Sequence, residues 1–200
     1  ITPKITYSLT HYNDIKHARA EIDKSSTRSL PIYSLDTGLI FERNSTVFGR
    51  ETEQTLEPRL FYAYIPYRNQ RHMPNFDSSS ADLNFAELFT PNKYTGFDRI
   101  ANTNQLSAVL TTRYIDSGTG KEWFSATVGQ RYYFTDEKVD LYWSNPGKTK
   151  NRSDVLAASQ FSLFEGWRLE GAIQYSTEWS RISKTSAGIR YNPRDFSTVA

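Results

Sequence analysis

From Trp167 to Trp179 the chain alternates without a break. Trp167, Leu169, Gly171, Ile173, Tyr175, Thr177 and Trp179 fall on one side, and Arg168, Glu170, Ala172, Gln174, Ser176 and Glu178 on the other. Successive side chains of a strand point to opposite sides of the sheet, so a period of two marks an extended strand with two chemically distinct faces. A helix is excluded, because its 3.6-residue period would spread these charges around the whole cylinder.

Weaker versions of the pattern recur. In 121–134, Phe124, Ala126, Val128, Tyr132 and Phe134 oppose Ser125, Thr127, Gly129 and Arg131. In 104–116, Leu106, Ala108, Leu110 and Tyr114 oppose Gln105, Ser107, Thr111 and Arg113. In 54–66, Leu56, Leu60, Tyr62 and Tyr64 oppose Thr55, Glu57 and Arg59, and in 31–43, Tyr33, Leu35, Leu39 and Phe41 oppose Asp36, Gly38 and Glu42. With 4–12, 153–164 and 184–192 the reading is all-β, about eight strands, several longer than the ~5–6 residues usual in globular sheets.

Short links near 44–50, 117–120, 165–166 and 192–195 alternate with long ones near 13–29, 67–103 and 135–152. The link near 180–183 is the short exception. Tight turns at one edge and long loops at the other describe an antiparallel up-and-down meander. The 67–103 loop exceeds the ~12–15 residues beyond which loops are usually functional or disordered. Within it, Asp82 to Phe89 predicts a short helix with Phe85, Leu88 and Phe89 packed inward, hence an ordered flap.

Two architectures accommodate long alternating strands. A soluble sandwich would bury the apolar face against a second sheet, whereas a membrane barrel would turn it to lipid and the polar face to a lumen. Composition favours the barrel. Aromatic residues make up 14% of 200 residues, with 13 Tyr, 12 Phe and 4 Trp against a single Met, and they gather at strand ends, as at Tyr62, Tyr64 and Tyr67, at Trp123 and Phe124, and at Trp167. Such rings suit the lipid–water interface. Strands of ten or more residues also match the ~9–11 that cross a bilayer with tilt. Mean hydropathy is low, −0.63. The longest apolar run, Phe61 to Tyr67, is broken by Pro66, far short of the ~18 residues of a membrane-spanning helix.

Chemistry is sparse. The absence of cysteine excludes thiol catalysis, Cys-ligated zinc and disulfides. His11, His17 and His72 stand at spacings that suit no ligand pair, and no phosphate-cradling loop or nucleophile motif is present. Glu57 and Arg59 share a face, as do Arg168 and Glu170, and such charges are expected to belong to a polar wall held by cross-strand ion pairs rather than to acid–base pairs. A net charge of +2 gives no footprint for nucleic acid. No enzyme, cofactor or metal site is expected. The start, Ile1-Thr2-Pro3-Lys4, is no signal peptide.

Three segments resemble one family. They are Gln54-Thr55-Leu56-Glu57-Pro58-Arg59 followed by Tyr62, Tyr64, Pro66 and Tyr67; Asp98-Arg99-Ile100-Ala101 with Asn104-Gln105; and Val128-Gly129-Gln130 with Tyr132-Tyr133-Phe134. In that order and spacing they are similar to the C-terminal barrel of the LptD family, outer-membrane lipopolysaccharide-assembly proteins of Gram-negative bacteria. Weaker likenesses bracket them at Thr10-His11-Tyr12, at Phe41-Glu42-Arg43 with Val47-Phe48, and at Gly171-Ala172-Ile173-Gln174-Tyr175.

The resemblance implies a barrel of about 26 strands, of which residues 1–200 would be a middle portion of the wall with a long extracellular loop at 67–103. It implies transport of lipopolysaccharide into the outer leaflet through a polar lumen, with lateral release between the first and last strands. It also implies a plug lipoprotein, LptE, an LptA-type periplasmic bridge reaching a jellyroll domain that this segment lacks, and surrounding outer-membrane lipids. Lumen-facing or motif residues are expected at Glu57, Pro58, Arg59, Asp98, Arg99, Asn104, Gln105, Arg113, Gln130, Arg131, Arg168 and Glu170. Pro58 removes a ladder donor and is expected to distort the wall. Asp98 and Arg99 are placed to pin the long loop by an ion pair. An autonomous small outer-membrane pore and a soluble carbohydrate-binding β-sandwich are the competing readings.

Overall fold

The computed structural model describes residues 1–13, 25–141, 150–164, 166–194 and 197–199. The expected loop at 13–29 lies mostly, and His17 wholly, outside them. Among the described residues ten strands form one antiparallel sheet: β1 (Thr2–Asn13), β2 (Ser25–Gly38), β3 (Phe41–Val47), β4 (Arg50–Ile65), β5 (Thr103–Asp116), β6 (Glu122–Tyr133), β7 (Val155–Phe164), β8 (Trp167–Ser176), β9 (Arg181–Arg194) and β10 (Ser197–Val199). Chain neighbours are sheet neighbours except at β2 and β3, which both lie beside β4, in the order β1-β2-β4-β5-β6-β7-β8-β9-β10. The all-β up-and-down arrangement read from periodicity is therefore the one the chain adopts.

The departures have local causes. The strand expected at 31–43 is longer and is broken at Leu39–Ile40, between β2 and β3. Opposite the break, Leu39 N–H donates to the Pro58 carbonyl at 3.0 Å, and Pro58 has no N–H with which to return the bond. The proline thus interrupts its neighbour while β4 runs on through it. The following turn is tight because Phe48 and Gly49 both take positive φ, 52° and 77°, the backbone twist a two-residue hairpin needs. Strand β8 stops at Ser176, so Trp179 lies in a turn although the sequence alternation reaches it. The helix expected at 82–89 shrinks to one 3-10 turn, Glu87–Phe89. Thr90 precedes Pro91, and a residue before proline is pushed out of helical geometry.

The chain packs as two compact units. The first comprises Ile1–Thr37, Phe61–Ser107 and Arg131–Arg152; the second comprises Gly38–Leu60, Ala108–Gln130 and Ser153–Ala200. The first has a core, in which Leu30, Ile65 and Ile100 pack together with Ile32, and Tyr94, Ala101 and Val139 with Leu141. Each fully buried aliphatic side chain there is worth about 1.5–3 kcal/mol. Leu88 is also fully buried, and Phe89 meets Phe61 edge-on at 6.1 Å. The turn thus carries two of its three expected apolar contacts inward even without a helix.

In the second unit the ladders make two faces explicit. Phe124, Phe161, Leu169 and Ile189 are successive cross-strand partners, as are Val128, Ala157, Ile173 and Thr185. On the other side Ser125, Gln160, Glu170 and Gly188 line up, as do Thr127, Ala158, Ala172 and Ser186. The apolar face is open: Ile189 is 59% exposed, and in the first unit Ile5 and Leu9 are 74% and 67% exposed. Among the described residues no helix is long and apolar enough to cross a membrane, which says nothing of strands.

Candidate functional site

The sequence 67–102 does not leave the first unit as a free loop. It folds back over the side of the strands that carries Arg28, Leu30, Phe61, Ala63, Ile65, Gln105 and Ser107, all buried. Side chains from the sheet hold it by donating to its backbone carbonyls. Gln105 Nε2 reaches Thr90 O at 3.1 Å, and Arg131 donates to Ser107 Oγ at 3.2 Å, to Thr90 O at 3.3 Å and to Glu87 O. Where the loop has no ladder partner, buried carbonyls need donors, and a long guanidinium supplies several at once.

Arg28 is the centre of this arrangement. Its guanidinium donates to Gln70 Oε1 at 2.8 Å, Asp98 O at 2.6 Å, Phe97 O at 2.5 Å and Thr10 Oγ1 at 2.9 Å. Gln70 in turn accepts from Ile100 N at 3.2 Å and donates to Ile100 O at 2.7 Å, standing in for a strand partner. Within the loop, Asp98 accepts from the Tyr12 hydroxyl and from the N–H groups of Phe76 and Asp77. Asp77 accepts reciprocally from the N–H groups of Phe97 and Asp98. Burial works against ionisation of Asp98, but the Tyr12 hydroxyl and the two N–H donors outweigh it and hold the carboxyl below its usual range. Arg99, only 1% exposed, donates to Pro74 O and Met73 O, both at 2.7 Å. Burial pulls its guanidinium down from its ordinary value. Gly96 sits at φ +73° with Asp77 so close that a Cβ there would lie within 2.7 Å of it, a conformation that favours glycine.

The second unit keeps its polar side chains near water. Arg113 bridges Glu57 at 3.0 Å and Glu122 at 2.8 Å, Arg190 lies 3.7 Å from Glu170, and Gln174 donates to Asp154 at 2.8 Å. Aromatic rings cluster toward the tight turns: Trp123 packs against Tyr114, Phe124 and Phe161 at centroid distances of 5.5–6.2 Å. Trp167 stacks on Tyr191 at 4.5 Å. In the first unit Tyr33 stacks on Tyr64 at 6.3 Å.

The expected site residues separate into three groups. Gln105 and Arg131 hold the loop from the strands, and Asp98 and Arg99 pin it from inside. The last two engage backbone groups of the loop, and the charge of Asp98 also acts favourably on Arg99. Glu57, Arg59, Arg113, Arg168 and Glu170 share the polar alternation of their strands. Pro58, Asn104 and Gln130 do not: each alternates with its polar neighbour and lies with Leu60, Leu106 and Val128 on the apolar side. Adjacent strand residues cannot share a face. Asn104 accepts from the Tyr62 hydroxyl at 2.9 Å, and Gln130 donates to Ser153 O at 2.9 Å, so both amides serve the wall's own bonding. Arg28, Gln70 and Tyr12 were not anticipated. Arg28 falls in a stretch read as loop, where flanking serines give no polarity contrast. Among the described residues no group of three or more His, Cys, Asp or Glu is arranged to hold a metal ion.

A family model described as LPS transport system D matches residues 1–200. The chain is 42% identical over 198 residues to the LPS-assembly protein LptD of Paraburkholderia xenovorans, covering 96% of this chain and 25% of that protein. It is 44% identical over 193 residues to LptD of Aromatoleum aromaticum, covering 96% and 24%. It is 45% identical over 170 residues to LptD of Burkholderia thailandensis, covering 85% and 22%. The chain spans about a quarter of the length of these relatives. A family model matched from end to end, on an up-and-down sheet with one apolar and one polar side, places this chain in the LptD family.

Proposed function

We propose that this chain is part of the wall of an outer-membrane β-barrel that assembles lipopolysaccharide into the outer leaflet. The apolar side of the strands faces lipid and the polar side lines an aqueous lumen. The observation that carries this reading is the two-faced alternation preserved across the ladders from β6 to β9, with aliphatic residues left open on one side. A soluble protein would cover such a continuous apolar surface. The sugar portion of lipopolysaccharide travels along the polar side and leaves laterally at a seam formed by other strands of the barrel. An LptE plug occupies the same lumen, and an LptA-type bridge delivers substrate through the jellyroll domain. Transport of this kind requires no catalytic group. The loop 67–102 packs on the lumen side and narrows it from the loop end of the strands.

Nitroxide labels placed singly in the full-length protein in lipid test the reading. Labels at Leu56, Leu60, Leu110 and Ile173 are expected to be relaxed by oxygen, which partitions into lipid. Those at Arg59, Thr127 and Ala172 are expected to be relaxed by a water-soluble nickel chelate. Lipid-phase relaxation at Arg59 and Thr127 would overturn the assignment.

A further inference from the structure

The second unit holds a cavity of about 590 Å3 beside its tight turns that the wall does not require. Its cations are Arg50, Lys121 and Arg168, and its anions are Asp116 and Glu122. The anions are already engaged. Glu122 accepts from Arg113 at 2.8 Å, while Asp116 accepts from the Thr119 N–H and hydroxyl, both at 2.8 Å, and from Gly118 N at 3.1 Å, with Arg50 in electrostatic reach. Among the described residues neither the Lys121 ammonium nor the Arg168 guanidinium has an acidic partner. Arg168 also stands directly across the ladder from Arg190, a like-charge pairing that weakens a sheet unless an anion offsets it. Arg190 leans toward Glu170, which leaves Arg168 as the cation in need of one.

The remaining lining specifies what kind of anion fits. Trp123 offers ring surface, and Gln160, Ser162 and Asn192 offer amide and hydroxyl groups. A guanidinium fork matches phosphate oxygens, aromatic faces pack on the C–H faces of a sugar, and amides take its hydroxyls. The volume is larger than a lone phosphate fills. We propose that this cavity is a binding site for a phosphorylated saccharide, with Arg168 and Lys121 on the phosphate and Trp123 beside the sugar. The proposal rests on the reading of the polar side as the aqueous lumen, and it deepens that reading by assigning a subsite for the phosphate-bearing part of the cargo.

The test is titration of the full-length protein in detergent with three probes, glucose 1-phosphate, glucose and inorganic phosphate, followed by saturation-transfer and phosphorus NMR. Glucose 1-phosphate is expected to bind, with affinity falling as salt rises, and glucose to bind at least tenfold more weakly. Arg168→Gln is expected to weaken glucose 1-phosphate by about tenfold, the usual scale of a charge-assisted contact. Arg168→Lys, which keeps the charge but loses the fork, is expected to fall between. Heat-modifiable migration on gels checks that each variant is folded. Equal binding of glucose and glucose 1-phosphate, or an unchanged affinity in folded Arg168→Gln, overturns the site. Inorganic phosphate binding as tightly as glucose 1-phosphate would overturn the saccharide half of the proposal. The nitroxide measurement separates the two readings: labels in lipid on the polar side sink the lumen assignment whatever the cavity binds, while aqueous labels with no phosphate-dependent binding sink the cavity alone.

Discussion

The two units carry the same alternating strands and treat their polar sides in opposite ways. In the first, Arg28, Arg99 and Arg131 are 2%, 1% and 3% exposed and spend their donors on backbone carbonyls of the covering loop. In the second, the side chains of Arg113 and Arg190 are 42% and 44% exposed and meet carboxylates across the ladder. The same residue type therefore does two jobs. Under a loop, arginine replaces the missing strand partner of buried carbonyls; on an open wall it is one half of a water-screened pair. Burial decides the energetic weight, because an unmet buried group costs far more than a lost surface pair.

The largest effect is expected at Arg28. Arg28→Met keeps much of the side-chain volume but leaves Asp98 O and Phe97 O without their guanidinium donor and Gln70 Oε1 with Ile100 N–H alone, which should destabilise the loop by about 3 kcal/mol. Hydrogen exchange of the 67–102 amides in the full-length protein should rise on the order of 100-fold, with the β7–β9 amides unchanged; matching protection in both regions would break the comparison.

An intermediate effect is expected at Asp98. Its carboxyl sits below the unfolded value, so its contribution is complete above about pH 4 and is lost as pH falls through the lower folded value. Loop protection should be flat from neutral pH down to about pH 4 and then drop. In Asp98→Asn the drop should vanish and protection should be lower throughout. An acid-induced loss already complete at pH 5 would contradict the arrangement described.

The smallest effect is expected at Arg113. Arg113→Met removes two half-exposed ion pairs and should cost no more than about 1 kcal/mol, read as the urea midpoint of the refolded full-length protein. A loss as large as that of Arg28→Met would show that the open wall is less wet than its exposure indicates.

Much of the fold was legible because a strand's period of two is a local property: neither face of Trp167–Tyr175 needs a distant partner to be recognised. The break at Leu39–Ile40 was not, since its cause, Pro58, sits on the facing strand. The side on which Pro58, Asn104 and Gln130 lie was implicit in the alternation, which sets each of them opposite its motif neighbour Glu57, Gln105 or Arg131. The loop's order was foreseeable from its apolar residues, but the residues that hold it were not. Arg28, Gln70 and Tyr12 come from separate segments, and a guanidinium reaching a carbonyl 70 residues along the chain leaves no periodic trace.

Sequence alone determined the strands, their up-and-down order, the segregation of apolar from polar side chains and the family. All of these follow from neighbours a few residues apart or from motifs read in line. Tertiary structure decided which polar side is covered and which stays open, which arginines become buried donors, and which cations around one cavity are left without a partner. Those outcomes depend on how a 36-residue connection, 67–102, folds back onto strands that are far away in sequence. The free energy of a buried hydrogen bond is set by that enclosure and not by the identity of the residues that make it.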